Sequence, residues 1–343
     1  VVLQIAFFNS FNIPFFVTVF VIIFLIWLYT KKAGIKTLVY TDTLQTTFLI
    51  AAVIASIWII AKSINLNISD LFNTVKNSEY SKIFFWDWRD KHFFVKDFLS
   101  GAFIAFVMTG LDQDLMQKNL TCKTLKDAQK NFISLSIILL FVNLFFLSLG
   151  VLLYEYASFN NIPIPAKSDD LFPTLAIKYF GGFAGVVFLI GIVASTFASA
   201  DSALTSLTTS TAIDFLKFDI TDNSKKNVRK KDLIHIGVSI VIIIVIIIFS
   251  AINDESVINQ IFKVAGYTYG PLLGLFIFGL TTKMKPYDKY VPYIAFASPF
   301  FTYLITKIIE NHTSYKFGYE LLILNGLLTF LGLYVLSLLN NKK

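Results

Sequence analysis

Long apolar stretches recur along the whole chain, and shorter polar connections separate them. Most of the stretches have about the 20 residues that a helix needs to cross roughly 30 Å of hydrocarbon. Apolar runs of that length indicate membrane-spanning helices, in which every backbone polar group is paired. The pattern therefore predicts an all-α membrane protein. We expect nine transmembrane helices, at residues 12–30, 39–62, 95–115, 132–156, 182–213, 232–252, 257–281, 287–309 and 316–339.

Two connections and the start of the chain add to this pattern. Residues 63–94 are polar and aromatic, which indicates short amphipathic pieces, and a later connection contains Pro163 and Pro165. Residues 1–8 are apolar but lack the basic n-region and the cleavage site of a signal peptide. We expect them to be the end of a helix that begins earlier, and the chain to be the C-terminal part of a longer protein.

The composition excludes a soluble domain. Hydrophobic residues make up 56% of the 343 residues and charged residues 15%, whereas soluble domains carry about 25% charge. Cys122 is the one cysteine, so an internal disulfide is excluded. The net charge of +7 would suggest a nucleic-acid partner for a soluble protein. Here the cytoplasmic loops of a membrane protein, which collect Lys and Arg, explain the charge.

The basic residues also orient the predicted helices. Asp254 and Glu255 lie in a loop without basic residues, and the other loops on that side are poor in them except for residues 63–94. We therefore expect the N-terminus outside and the C-terminus in the cytoplasm, with the protein in the plasma (inner) membrane. The alternate loops that define the cytoplasmic side hold 18 of the 29 basic residues: Lys31, Lys32, Lys36, Lys118, Lys123, Lys126, Lys130, Lys217, Lys225, Lys226, Arg229, Lys230, Lys231, Lys283, Lys285, Lys289, Lys342 and Lys343.

The predicted helix at residues 182–213 carries polar groups at membrane depth, where they are costly and usually mark an ion or substrate path. Hydroxyls, backbone carbonyls and a carboxylate are suitable ligands for Na⁺. Close packing of small residues is the alternative, but it does not explain Asp201 next to the serines. Four serines share one helical face, because they are spaced by 4, 3 and 4: Ser195, Ser199, Ser202 and Ser206.

Three further positions have two interpretations each. Asp42 lies near the start of the second predicted helix. It is either part of the ion site or a negative charge that the helix dipole favours at a helix N-terminus. Gly110, ahead of clustered amides and carboxylates, marks a helix that breaks beside a polar cavity or a solvated helix end. Lys263 extends to water or faces the cavity, where it would favour an anionic group. Pro271 lacks a backbone N–H, so we expect a kink near the middle of its helix.

Five segments in order along the chain resemble the sodium:solute symporter family, which includes sodium–sugar, sodium–proline and sodium–sialic acid cotransporters. The resemblance covers essentially the whole chain. The segments are Thr41-Asp42 with Gln45; Gly110-Leu111-Asp112-Gln113 with Gln117-Lys118; Asp170-Leu171-Phe172-Pro173; Ala194–Ser202 continuing to Asp214; and Gly270-Pro271 followed by Gly279.

The resemblance implies an inverted-repeat (five-plus-five) transporter fold with flanking helices. On that mapping, residues 1–343 form a single transmembrane transporter domain. It contains the end of the first repeat (about 1–62), the second repeat (about 95–281) and extra helices (about 287–339). The broken first core helix of the family, which completes the main sodium site, would precede this chain.

The resemblance also implies two cation positions. The main sodium site takes two backbone carbonyls and one hydroxyl, from Ser195, Ala198 and Ser199 respectively. A further cation position of some members corresponds to Asp42, Asp201 and Ser202. The family often has a hydroxyl at the position of Asp201, so its carboxylate would strengthen that position or link it to protons. Unchanged sodium dependence in Asp201→Asn would exclude this hypothesis.

The substrate positions differ from those of the sugar transporters in the family. Met108 stands where they place an aromatic gate, Ala105 where they place an amide, and Lys263 where they place a sugar-contacting glutamine. We therefore disfavour a hexose and prefer a carboxylate-bearing solute, such as an amino, keto or sugar acid. The candidate residues of the substrate cavity are Ala105, Met108, Asp112, Gln113, Lys263 and Tyr267.

The function that the resemblance implies is sodium-coupled symport of a small organic solute by alternating access. The expected partners are Na⁺ as the coupling ion, the solute and the lipid bilayer, with no other cofactor and no nucleic acid. A proton-coupled symporter and a membrane sensor with the same fold are the alternatives. We do not expect an enzyme, since no nucleophile–base pair is apparent and three histidines lie near span ends without metal-ligand spacing: His92, His235 and His312.

Overall fold

The computed structural model describes residues 13–31, 35–218, 225–252 and 257–340. Four groups of residues used in the sequence analysis lie outside that part of the chain: residues 1–8, Lys32, the Asp254–Glu255 pair and the terminal lysines. The α-helices are α1 (Phe15–Thr30), α2 (Ile35–Ser63), α3 (Ile68–Asn77), α4 (Phe94–Gly110), α5 (Gln113–Asn119), α6 (Leu125–Phe159), α7 (Leu171–Lys178), α8 (Gly182–Ser210), α9 (Lys225–Ile252), α10 (Val257–Thr281), α11 (Val291–His312) and α12 (Leu321–Asn340).

In the described part of the chain, eight of the nine predicted spans each coincide with one helix over most of their length, and the all-α membrane class is confirmed. Among the described residues, seven helices are long and apolar enough to cross a membrane, and α1 is a shorter apolar helix of 16 residues. The third predicted span, residues 95–115, is interrupted, because α4 ends at Gly110 and α5 begins at Gln113. The count of nine transmembrane helices and the inverted repeat therefore stay predictions.

The helices belong to two compact units, which we describe separately. The first unit comprises Val1–Ser81 and Gln113–Ser256, and the second comprises Lys82–Asp112 and Val257–Lys343. The first unit therefore contains the predicted sodium helix α8, and the second contains α4, α10, α11 and α12. The proposed division of the transporter domain into repeats remains a prediction.

In the first unit, α2 packs closely against α8 and also contacts α6. Gly191 of α8 permits this approach, since a Cβ atom there would lie 2.7 Å from the Cβ atom of Ala52. A core cluster of the first unit joins α1, α8 and α9 and places the end of α1 beside the middle of α8. Its most buried members are Val19, Ile23, Ile26 and Leu204.

In the second unit, α10 and α12 form the closest helix pair, and α4 packs against both. Val107, Leu273 and Leu322 form the core of this contact. Helix α10 continues through Pro271 to Thr281. Small residues let the two helix backbones approach, as is common in membrane proteins. The glycines that line the approach are Gly266, Gly270 and Gly274 on α10 and Gly326 on α12.

The connections outside the spans are held by local polar contacts. The amphipathic pieces expected within residues 63–94 are α3 and a 3₁₀ turn at Glu79–Ser81. In the second unit, the backbone N–H of Lys316 donates to the carbonyl of Arg89 at 3.0 Å. The Tyr315 hydroxyl donates to Glu320 at 2.8 Å, and burial together with this carboxylate raises the pKa of Tyr315. The hydrogen bond from Lys316 to Arg89 ties two connections of the second unit together.

Candidate functional site

A polar network in the first unit gathers around the ammonium group of Lys118. Its Nζ atom lies 2.7 Å from Oδ2 of Asp42 on α2 and 2.9 Å from Oδ2 of Asp114 on α5. It also donates to the Ser202 hydroxyl of α8 at 2.8 Å. Three helices therefore contribute oxygen atoms to one ammonium group, whose three N–H donors all have partners.

The carboxylates of this network also contact hydroxyls of α8. The Ser202 hydroxyl lies 3.5 Å from Oδ2 of Asp42, and the Ser206 hydroxyl lies 3.4 Å from Oδ1 of Asp114. Ser202 and Ser206 are both buried. The i, i+4 spacing of Asp114 and Lys118 on α5 brings these two charges to one side of that short helix.

Asp201 lies next to the network and is completely buried. Its Oδ2 atom accepts a hydrogen bond from the Tyr29 hydroxyl, which the end of α1 brings to the middle of α8. The Tyr29 ring also stacks on Phe197, with ring centroids 6.2 Å apart. A buried carboxylate needs such a donor, because a buried charged group without hydrogen bonds costs more free energy than a buried neutral polar group without them.

Asp42 and Asp201 each have one carboxylate oxygen that accepts no hydrogen bond within the described part of the chain. The Oδ1 atoms of Asp42 and Asp201 are buried and have no hydrogen-bond partner among the described residues, and the same holds for Oε1 of Gln45 on α2. Unpaired buried oxygen atoms of this kind are rare in proteins and are explained by an ion, a water molecule or a functional role. Carboxylate and amide oxygens of this kind are ligands that a hard cation prefers.

The residues of the expected main sodium site precede Asp201 and Ser202 on α8. Ser195 and Ala198 are partly buried, whereas Ser199 is exposed. Ser199 nevertheless lies in the interior of an apolar 29-residue helix, where a hydroxyl facing hydrocarbon would be unfavourable. No described residue of the first unit therefore buries the Ser199 side chain on α8.

Five of the six substrate-cavity candidates belong to the second unit, and Gln113 belongs to the first. On α4, Ala105 is exposed and Met108 is partly buried. On α10, Lys263 is exposed and Tyr267 is partly buried one helical turn later. Asp112 follows the end of α4 and interacts electrostatically with Tyr269 of α10.

Asn325 of α12 supports the α10 backbone at Tyr267. Because Pro271 has no N–H, the carbonyl of Tyr267 lacks its usual helical donor. The Asn325 side-chain amide donates to this carbonyl at 2.7 Å and to the carbonyl of Gly266 at 3.1 Å. Asn325 is completely buried, so α12 supplies the hydrogen bond that the proline removes from α10.

Only some of these polar side chains are predictable from the sequence. The structure brings Asp42 and Ser202 together, with Asp201 adjacent to Ser202, as the second cation position requires. Lys118 is one of the basic residues of a predicted cytoplasmic loop and belongs to the Gln117-Lys118 part of the family resemblance, but the sequence predicts no place for it at the cation position. No role is predicted for Tyr29. An i, i+4 Asp–Lys pair after a helix break was the available signal for Lys118. The partner of Tyr29 had no sequence signal, because its hydrogen bond joins residues 172 positions apart.

Comparisons with known proteins agree with the predicted family. A family model described as the sodium:solute symporter family matches residues 5–285. The sodium/sialic acid symporter NanT of Aliivibrio fischeri is 25% identical over 275 residues, which cover 76% of this chain and 53% of the relative. The corresponding symporter SiaT of Proteus mirabilis is 24% identical over 276 residues, which cover 75% and 53%.

A human relative and a solved structure extend the comparison. The human sodium/iodide cotransporter is 23% identical over 273 residues, covering 74% of this chain and 40% of the relative. This chain therefore spans about half the length of the two bacterial relatives and less of the human one. A substrate-bound, outward-open structure of a Na⁺-coupled sialic acid symporter has a TM-score of 0.78 at 17% identity, covering 98% of this chain and 70% of that one. This likeness establishes the fold.

Proposed function

Because this chain belongs to the sodium:solute symporter family, we propose that the protein transports a small organic solute together with Na⁺ by alternating access. The observation that carries this proposal is the polar position of α8 at Ser199, exposed in the interior of an apolar helix. A hydroxyl at that depth is expected beside an ion or substrate path rather than in lipid. The carbonyls of Ser195 and Ala198 would complete this part of the main sodium site.

We expect Ser199→Ala to weaken sodium binding about 10-fold, because one of the few ligands of a desolvated cation is lost. The measurement is equilibrium binding of radioactive Na⁺ to the purified full-length protein, which needs no knowledge of the substrate. Thr196→Val is the matched control, since the Thr196 hydroxyl of the same helix donates to the carbonyl of Ile192 at 2.9 Å. Absence of saturable sodium binding in the unmodified protein would favour the proton-coupled or the sensor alternative.

We further propose that the solute carries a carboxylate. Two relatives are named as sodium/sialic acid symporters, and sialic acid is a carboxylate-bearing sugar. Lys263 is an exposed cation on α10 of the second unit, one turn before Tyr267. An ammonium group there would pair with an anionic group of the solute. The proposed solute is therefore a sugar acid or another small organic acid, and not a hexose.

Lys263→Gln should raise the KM for sialic acid about 10-fold or more, because a hydrogen bond between charged groups contributes roughly 1.5–3 kcal/mol. The measurement is uptake of labelled sialic acid into proteoliposomes under an inward sodium gradient. Lys307→Gln, at an exposed lysine of α11 in the same unit, is the control. Equal KM values for the two variants would contradict a role of Lys263 in binding the carboxylate.

The protein is a multi-pass membrane protein, and we propose the inner (plasma) membrane as its location. The alternation of basic loops supports a cytoplasmic C-terminus. In that orientation an inward sodium gradient and a membrane potential of about 100 mV would both drive uptake, the potential by ~2.3 kcal/mol for each charge moved. The proposed direction of transport is therefore into the cell.

A further inference from the structure

The ammonium group of Lys118 lies at the position that the family resemblance implies for a second cation. The resemblance assigns Asp42, Asp201 and Ser202 to that position. Two of these three residues contact Lys118 directly, through Oδ2 of Asp42 at 2.7 Å and the hydroxyl of Ser202 at 2.8 Å. An ammonium group and a sodium ion carry the same charge and bind the same hard oxygen atoms.

Lys118 is held in this position by contacts on its own helix. Asp114, one turn earlier on α5, binds Nζ at 2.9 Å and also accepts a hydrogen bond from Ser206 of α8 at 3.4 Å. The side chain of Lys118 is only 22% exposed, and those of Asp42 and Asp114 are 20% and 26% exposed. The lysine is therefore part of a partly buried network on three helices and not a solvated loop residue.

We propose that Lys118 is a tethered cation that fills the second cation position, so that this protein binds one sodium ion where a vacant position would allow two. The inference rests on the proposed function, because it concerns the sodium stoichiometry of the same transporter. A sodium ion at Asp42 and Ser202 would lie within a few ångströms of the ammonium group. Repulsion between the two cations excludes that arrangement while Lys118 stays in place.

Three buried oxygen atoms on α2 and α8 explain why removal of the lysine side chain should create a second sodium site. The Oδ1 atoms of Asp42 and Asp201 and the Oε1 atom of Gln45 are buried without a hydrogen-bond donor among the described residues. When the ammonium group is absent, Oδ2 of Asp42 and the Ser202 hydroxyl become available as well. Carboxylate, amide and hydroxyl oxygens are the ligands that a hard cation requires.

The test is the number of sodium ions bound by the purified full-length protein, measured by equilibrium binding of radioactive Na⁺. We expect one ion per unmodified protein and two per protein in Lys118→Gln. The added ion should disappear in the double variant Lys118→Gln/Asp42→Asn. Lys126→Gln, at an exposed lysine on α6, is the matched control and should keep the count of the unmodified protein.

Each other outcome overturns the inference. Two sodium ions in the unmodified protein, or one ion in a folded Lys118→Gln protein, would overturn the role of Lys118 and leave the proposed function intact. No sodium bound to the unmodified protein would overturn both. Lys118→Met, which keeps the apolar stem without the charge, is the second variant if Lys118→Gln does not fold. The count for the unmodified protein requires no variant at all.

Discussion

Gly274→Val should destabilise the second unit by ~3 kcal/mol or more, at the upper end of the cost of overpacking a buried contact. A Cβ atom at Gly274 would lie 2.5 Å from the backbone carbonyl oxygen of Gly326 and 2.6 Å from Cβ of Thr329 on α12. Neither atom is the flexible end of a side chain, so the two helices would have to separate. Their separation would also lengthen the hydrogen bonds from Asn325 to the α10 carbonyls.

The measurement is thermal unfolding of the purified full-length protein, followed by intrinsic tryptophan fluorescence. Gly279→Val is a matched control, because Gly279 lies on the same helix and a Cβ atom there would meet no atom within 4 Å. We expect a melting temperature close to that of the unmodified protein for Gly279→Val and a clearly lower one for Gly274→Val. Equal melting temperatures would show that the α10–α12 contact is looser than the structure indicates.

Tyr29→Phe should destabilise the first unit by roughly 1.5–3 kcal/mol, the contribution of a hydrogen bond to a charged group. The variant keeps the ring and its stacking on Phe197 but removes the hydroxyl that donates to Asp201. Asp201 is completely buried, and its Oδ1 atom already lacks a partner among the described residues. Tyr29→Phe would therefore remove a donor from the Oδ2 atom of the same carboxylate.

A double-mutant cycle tests this explanation. Asp201→Asn removes the charge, so adding Tyr29→Phe to that variant should lower the melting temperature less than it does in the unmodified protein. Tyr40→Phe is the control, because Tyr40 is 78% exposed on α2 of the same unit. If the effects of Tyr29→Phe and Asp201→Asn were additive, the hydroxyl would not act through the carboxylate.

Much of the fold could be predicted from the sequence. The predicted spans coincide with helices, because long apolar runs leave few other structures possible in hydrocarbon. The interruption of the third span at Leu111 and Asp112 was the main exception. Gly110 indicated a break as one of two interpretations, but where a helix resumes depends on the helices around it and not on local residue preferences.

The candidate site was predictable to a smaller extent. The sequence by itself determined that α8 carries hydroxyls and a carboxylate at membrane depth, because polar residues within an apolar run stand out and are costly there. Only the tertiary structure decided what these groups contact. It joined Asp42, Ser202 and Lys118 from three helices, paired Tyr29 with Asp201, and placed Asn325 at the carbonyl that Pro271 leaves without a donor. Such contacts depend on which helices are neighbours, and the periodicity of a single helix identifies a polar face but not the residue that meets it.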